Sequence, residues 1–159
     1  MSDNESSEER LAARTMGEGK HFALIAHDNR KEDILDWSRF NQAILGEHML
    51  FATGTTGSML SEELGRSVAR FKSGPLGGDQ QIGAKVTEGD LDFVIFFWYP
   101  FESQLHDVDV KALLRIAVVY NIPVACNRAS ADFIITSPLI SQSYERPLID
   151  YQHRMQSEL

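Results

Sequence analysis

Short, continuous apolar runs alternate with longer segments of helical periodicity along most of this chain. The runs "HFALIA" (21–26) and "DFVIFFW" (92–98) have the length and uninterrupted apolarity typical of strands that are buried on both faces. In residues 31–45 and 109–121, apolar side chains recur at helical spacing. Strands that alternate with helices through short connections form a parallel sheet covered by helices. The alternation therefore predicts an α/β fold.

The same pattern gives bounds for the elements. Five strands are predicted at 21–26, 48–53, 68–73, 92–98 and 122–127. Helices are predicted at 31–45, at 55–65 with an end at Gly65, through Ile82 to an end near Gly89, at 109–121 and near 130–136. Residues 1–19 are polar, rich in Glu and Ser and without periodicity, so we expect a disordered N-terminal tail followed by a single domain over 20–159.

Composition narrows the class of function. The chain has 159 residues and a formal net charge of −8, which argues against nucleic acid or an anionic membrane as the main partner. Cys126 is the only cysteine, so neither a disulfide framework nor a cysteine-based metal site is expected. No apolar run approaches the roughly 18 residues of a membrane helix. The acidic N-terminus lacks the pattern of a secretory signal, which indicates a cytoplasmic protein.

The glycine-rich turns and most of the candidate functional side chains of the chain lie directly after the predicted strands. The loops "HDNRK" (27–31), "TGTTG" (53–57), "SGPLGGDQQ" (73–81) and "YPFESQLHDVD" (99–109) each follow one strand. Ligands of open parallel sheets bind beyond the carboxyl ends of the strands. We therefore expect these four loops to meet at one edge of the sheet and to form a site there.

Two of these loops have the composition of an anion site. Gly54 lets the backbone approach a ligand, the neighbouring threonines add hydroxyl donors, and a helix begins there. Ser73-Gly74 repeats this arrangement at the next strand end, and Lys31 adds a full positive charge. The alternative is a capped turn, because Ser and Thr are favoured N-caps, together with a solvated lysine.

Carboxylates and imidazoles on the same loops suggest proton transfer. Asp79 stands on a Gly-Gly turn at a helix start, and His106, Asp109 and His27 follow other strands. A carboxylate, two histidines and a phosphate site together suit proton abstraction next to a carbonyl. Separately, Asp79 could be an N-cap, His106 to Asp109 a helix entry, and His27-Asp28 a polar pair. A metal site is less favoured, because no H-E-x-x-H or similar spacing occurs.

The order of these segments resembles a known family. The segments "ALIAHD", "ATGTTG", "SGPLGGDQQIGA", "DFVIFFWYP", "HDVDVKALLRIA" and "NIPVACNRASADFII" are similar to successive motifs of methylglyoxal synthases, over roughly residues 20–138. The resemblance implies a flavodoxin-like three-layer sandwich around a five-stranded, mostly parallel sheet, assembled as a homohexamer without a metal or organic cofactor. It also implies a lyase that converts dihydroxyacetone phosphate to methylglyoxal and inorganic phosphate, with phosphate acting as an inhibitor as well as a product.

The resemblance also assigns roles by position. Asp79 matches the catalytic base, His106 a histidine that contacts the substrate oxygens, and Asp109 a nearby carboxylate. His27 matches a second substrate-contacting histidine, and Asp28 a residue near the site and a subunit contact. The phosphate-binding set corresponds to Lys31, Thr53, Gly54, Thr55, Thr56, Ser73 and Gly74.

One position departs from the family pattern. Methylglyoxal synthases usually have an aspartate after the fourth strand, where this chain has Tyr99. The site therefore loses one carboxylate and gains a phenol. Two other functions remain open at this point: a regulatory ligand-binding domain of the same fold, and a sugar-phosphate isomerase that uses the same base but retains the phosphate.

Overall fold

A computed structural model describes residues 11–101, 107–151 and 155–156. The strands are β1 (Leu11–Met16), β2 (His21–Ala26), β3 (Met49–Thr53), β4 (Ala69–Phe71), β5 (Phe93–Phe97), β6 (Val124–Ala125) and β7 (Tyr144–Ile149). The helices are α1 (Lys31–Phe40), α2 (Gln42–Leu45), α3 (Gly54–Leu64), α4 (Gly78–Glu88), α5 (Asp107–Val119) and α6 (Arg128–Ile135). Within these described residues, no helix has both the length and the apolar character needed to cross a bilayer.

Five of the strands form one parallel sheet in the order β4-β3-β2-β5-β6. In its centre, Phe22 of β2 is in register with Leu50 of β3 on one side and Phe93 of β5 on the other. The chain builds outward from β2 through β3 to β4, then returns to the other side of β2 with β5. The connection that leaves β2 therefore runs toward one edge of the sheet, and the connection that leaves β5 runs toward the other edge. Sheets of this kind open a crevice for ligands between two such strands. The predicted α/β fold and five-stranded sheet are confirmed.

Helices cover both faces of this sheet. Phe22 and Leu24 of β2 pack in a core with α1, α3 and α6, whereas Ala23 and Ile25 pack in a second core with α4 and α5. Burying a large apolar side chain contributes roughly 1.5–3 kcal/mol. Because successive strand residues point to opposite faces, a strand covered twice gains from apolar residues at every position. This explains the uninterrupted run "HFALIA" and gives the predicted three-layer sandwich.

The helical segment predicted at 31–45 is interrupted at Asn41. Helix α1 ends at Phe40, and Asn41 has φ −101° and ψ 16°, outside the helical region. Its side-chain amide donates to the carbonyl oxygen of Trp37 at 2.9 Å, which satisfies a carbonyl at the helix end. The apolar periodicity continues into α2 across this break, so spacing alone did not reveal it. The predicted strands at 68–73 and 122–127 are also shorter, at 69–71 and 124–125.

The expectation of a disordered tail over 1–19 is wrong for residues 11–16. They form β1, which pairs antiparallel with β7, with Leu11 opposite Ile149 and Met16 opposite Tyr144. Lys20, which is 1% exposed, donates to the carbonyl oxygens of Gly17 and Gln142 and so joins this strand pair to the rest of the chain. The pairing joins segments from opposite ends of the sequence, which local periodicity does not detect. Residues 1–10 lie outside the described residues.

Candidate active site

A cavity of about 100 Å³ opens at the carboxyl ends of β2, β3 and β4. All residues predicted to bind phosphate line it, together with His27 and Asp28. The lining residues are Ile25, Ala26, His27, Asp28, Lys31, Thr53, Gly54, Thr55, Thr56, Ser73, Gly74 and Pro75. Sequence reasoning missed Ile25, Ala26 and Pro75; the first two end the apolar run of β2, and the third lies in the Gly-Pro turn.

One wall of the cavity is the start of α3. Its N-cap is Thr53, whose side chain makes no capping hydrogen bond, so the structure does not support the capped-turn interpretation. Gly54 has a φ of +48°, and a Cβ built on it would lie 2.9 Å from the Cβ of Ser73. Only glycine allows β3 and β4 to end this close together. The first N–H groups of α3 are thus placed beside the Ser73 turn, in the arrangement that favours anions.

Lys31 supplies the positive charge of the cavity. Its ammonium group donates to the Thr55 hydroxyl and lies 3.0 Å from a carboxylate oxygen of Asp28. The Lys31 side chain is 23% exposed, whereas that of Asp28 is 94% exposed. Lys31 is therefore held between two cavity residues by specific contacts, which differs from the solvated lysine of the alternative interpretation.

His27 lies at the point where the connections of β2 and β5 diverge. Its main-chain N–H donates to the carbonyl oxygen of Phe97 at 3.2 Å, and its ring Nδ1 accepts a hydrogen bond from the main-chain N–H of Tyr99 at 3.1 Å. The residue is 4% exposed, and its ring packs edge-on against Phe96. Because Nδ1 is an acceptor here, the neutral imidazole has its proton on Nε2. His27 is thereby fixed as a hydrogen-bond donor through Nε2.

Asp79 is a buried carboxylate in the first turn of α4, with 2% of its surface exposed. The N-cap of α4 is Gly77, at a φ of +103°, so Asp79 is a helical residue and the prediction that it could be the cap is wrong. A Cβ on the preceding Gly78 would lie 1.9 Å from the Lys72 carbonyl oxygen. The Gly78 N–H also donates to the Ser73 carbonyl oxygen at 2.9 Å. The start of α4 is thus packed against the end of β4, where Ser73 lines the cavity described above.

Asp79 and Asp109 line a second cavity of about 270 Å³ between α4 and α5. Asp109 lies in the first turn of α5, which begins at Asp107, and it is half-buried. The structure therefore places the two predicted carboxylates together and places both outside the lining of the cavity that contains Lys31. His106 is the residue before α5 and lies outside the described residues. Tyr99 lines neither of these two cavities, and its main-chain N–H donates to Nδ1 of His27.

In the part of the chain that the structure describes, no three His, Cys, Asp or Glu side chains come close enough together to hold a metal ion. The expectation that the site needs no metal stays a prediction, which a chelation experiment can test.

The sheet order and the cavity at the strand ends define an α/β protein, and the cavity is lined by a lysine, hydroxyl groups and a helix start. Residues 33–126 match the family model of the MGS-like domain. A methylglyoxal synthase of Saccharophagus degradans is 63% identical over 133 residues, covering 84% of this chain and 86% of the relative. A methylglyoxal synthase of Leptospira interrogans is 57% identical over 139 residues, covering 87% of this chain and 94% of the relative. The crystal structure of methylglyoxal synthase from Elizabethkingia anophelis superposes with a TM-score of 0.86 at 47% identity, covering 91% of this chain and 95% of that one. The chain belongs to the methylglyoxal synthase family, and the predicted resemblance is confirmed.

Proposed function

We propose that this chain converts dihydroxyacetone phosphate to methylglyoxal and inorganic phosphate, and that the cavity at the ends of β2, β3 and β4 holds the phosphate group. The observation that carries the proposal is the contact between the two halves of the site. The start of α4, with the buried Asp79, is hydrogen-bonded to Ser73 of the phosphate cavity. In this proposal the start of α4 carries the proton acceptor, and the cavity that it contacts through Ser73 is the anion site. The relatives named above are methylglyoxal synthases, which favours the lyase over a regulatory domain or an isomerase.

The phosphate cavity orients the substrate in this proposal. Lys31, Thr55 and the first N–H groups of α3 bind the phosphate oxygens, since charge-assisted hydrogen bonds are the strongest contacts available to a dianion. Holding the phosphate fixes the three-carbon chain that follows it. Positioning of this kind supplies a large part of the rate enhancement when reacting atoms are kept in a near-attack geometry.

Asp79 is the proposed base. It removes a proton from the hydroxymethyl carbon next to the carbonyl, and the electron pair of that C–H bond becomes the double bond of an enediolate. A carboxylate is a weak base for a carbon acid, so the negative oxygen needs preorganised donors. The Nε2–H of His27 is suited to this task, and His106 has the matching role by resemblance.

Phosphate then leaves from the enediolate. The C=C electrons of the enediolate form a new double bond to the phosphate-bearing carbon as the C–O bond to phosphate breaks, and the hydroxyl group at the deprotonated carbon loses its proton and becomes the aldehyde carbonyl. Protonation of the terminal CH2 carbon of the resulting enol gives methylglyoxal. Cleavage is favoured when that C–O bond lies out of the enediolate plane. The cavity that bound the phosphate ester would hold this bond in place and accept the departing charge.

The decisive experiment measures phosphate and dicarbonyl release from dihydroxyacetone phosphate by the purified chain. Equal amounts of both products support the proposal. An isomerase would consume the substrate without releasing phosphate, and a regulatory domain would bind it unchanged. Repeating the assay in EDTA tests the predicted independence from metal, because loss of activity with rescue by a divalent ion would contradict it.

Three further expectations belong to the same proposal: a homohexamer and inhibition by inorganic phosphate, which the resemblance implies, and a cytoplasmic location, which the N-terminal sequence indicates. Inhibition has a physical basis here, because free phosphate would occupy the cavity that binds the substrate phosphate. Light scattering tests the assembly, and kinetics at increasing phosphate concentrations test the inhibition.

A further inference from the structure

Tyr99 joins two loops of the site through two different groups. Its main-chain N–H donates to Nδ1 of His27 at 3.1 Å. Its ring lies under the guanidinium of Arg30, 5.5 Å from the ring centroid. Arg30 ends the 3-10 turn Asp28–Arg30 that directly follows His27, and it is also paired with Asp33 at 3.0 Å. The segment after β5 and the segment after β2 are therefore tied together at their shared crevice.

We propose that Tyr99 is a positioning residue for His27. Its main-chain N–H holds the imidazole in the form protonated at Nε2, and the stacking of its ring on Arg30 keeps the segment after β5 where that N–H can reach Nδ1. The role in turnover rests on the proposed function, because it assumes that His27 donates to the substrate oxygen.

Each group of Tyr99 has a separate task in this arrangement. Every residue except proline could supply the N–H, so the hydrogen bond to His27 does not itself require tyrosine. The aromatic face of Tyr99 gives the guanidinium of Arg30 a second contact beside its ion pair with Asp33. The ring therefore holds the segment after β5, and the main-chain N–H makes the contact to His27.

The chain offers a matched set of variants. Tyr99→Ala keeps the N–H and removes the ring, Tyr99→Phe keeps the ring without its hydroxyl, and Arg30→Met removes the cation but retains a long side chain. The control is Arg14→Met, because Arg14 forms a second cation–π contact, 5.6 Å from the ring centroid of Tyr120, and neither residue lines the cavity that contains His27. Each variant is examined by 15N NMR of labelled histidine and by steady-state kinetics. The His27 ring signals are assigned by their loss in His27→Gln.

We expect Tyr99→Ala and Arg30→Met to shift the Nδ1 signal of His27 and to lower kcat by about two- to fivefold, the factor that corresponds to an exposed cation–π contact. Tyr99→Phe should keep both the His27 signal and kcat at their values in the parent chain, and Arg14→Met should change neither. The dissociation constant for inorganic phosphate should stay the same throughout, because Lys31 and Thr55 are untouched.

Unchanged His27 signals in Arg30→Met and Tyr99→Ala would overturn the proposal, as would a loss in Tyr99→Phe equal to that in Tyr99→Ala, since the hydroxyl would then be the active group. If Tyr99→Ala does not fold, Arg30→Met decides alone. The NMR result is independent of turnover, so a failure of the proposed reaction and a failure of this inference give different outcomes.

Discussion

The ammonium group of Lys31 donates a hydrogen bond to the hydroxyl of Thr55 and so links the start of α1 to the start of α3. The same group lies 3.0 Å from the Asp28 carboxylate. A lysine held in this way is already ordered before a ligand arrives, so little side-chain entropy remains to be lost on binding.

Replacing this lysine should weaken both binding and turnover. Lys31→Met removes one charge-assisted contact, worth roughly 1.5–3 kcal/mol, from a phosphate group that is also the leaving group. We therefore expect KM to rise and kcat to fall, as measured by steady-state kinetics, and phosphate affinity to drop in calorimetry. Lys85→Met is the control, because Lys85 is an exposed lysine paired with Glu88 and Asp90. A rise in KM with unchanged kcat would show that Lys31 binds substrate and transition state equally.

The backbone contact at Gly78 should tolerate no side chain. In Gly78→Ala the new methyl group would meet the Lys72 carbonyl oxygen at 1.9 Å, so α4 has to move away from β4. We expect a loss of about 1–3 kcal/mol in unfolding free energy, measured by urea denaturation. Gly83→Ala is the matched control in the same helix, since a Cβ there meets nothing within 4 Å and alanine is the better helix former. Equal stability of the two variants would contradict the observed packing.

Stability should decrease as the pH falls below about 6.5, through His48. Burial lowers the pKa of His48 from its ordinary value of 6.5, and the nearby charges of Lys20 and Arg66 lower it further. Its Nδ1 also accepts the main-chain N–H of Lys20 at 2.9 Å. Below pH 6.5 the unfolded chain therefore binds a proton that the folded chain resists, so the unfolding free energy falls with a slope of up to about 1.4 kcal/mol per pH unit.

Denaturation at pH 7.5 and at pH 5.5 measures this slope. The His48→Gln variant should show a shallower loss over the same interval, because a neutral amide replaces the imidazole. The His21→Gln variant is the control. It removes a different histidine, at the start of β2, whose register partner Met49 directly follows His48. An unchanged slope in His48→Gln would assign the acid sensitivity to other groups.

Much of the fold could be predicted from the sequence, because strands buried on both faces require continuous apolar runs. The cavity residues were also predictable, since parallel strands bring their following loops to one edge. The strand pair β1 and β7 could not be predicted, because Leu11–Met16 contains a charged residue and pairs with a segment at the far end of the chain. The stacking of Arg30 on Tyr99 could not be predicted either, because it depends on the relative position of two loops.

The separation of the two cavities was not predicted either. Asp79 was expected on a turn beside the phosphate, whereas it lies one residue inside α4, and it shares a cavity with Asp109. The glycines at 77 and 78 permit this placement, because one has a left-handed backbone and the other touches a main-chain oxygen. The sequence motifs identify the types of residue in a site. The distance between the cavity lined by Ser73 and the cavity lined by Asp79 depends on the packing of α4 against β4.

The proposed mechanism depends most directly on Asp79. Asp79→Asn keeps the size and shape of the side chain and removes the proton acceptor from a residue that is 2% exposed. Single-turnover rates, phosphate affinity and the thermal midpoint are measured on the same preparation. If Asp79 is the base, the rate falls by about 10²–10⁴-fold. Phosphate affinity is retained, and the melting temperature stays close to that of the parent chain. A turnover rate close to that of the parent chain, in a variant that folds and binds phosphate, would contradict the account and remove Asp79 from the mechanism.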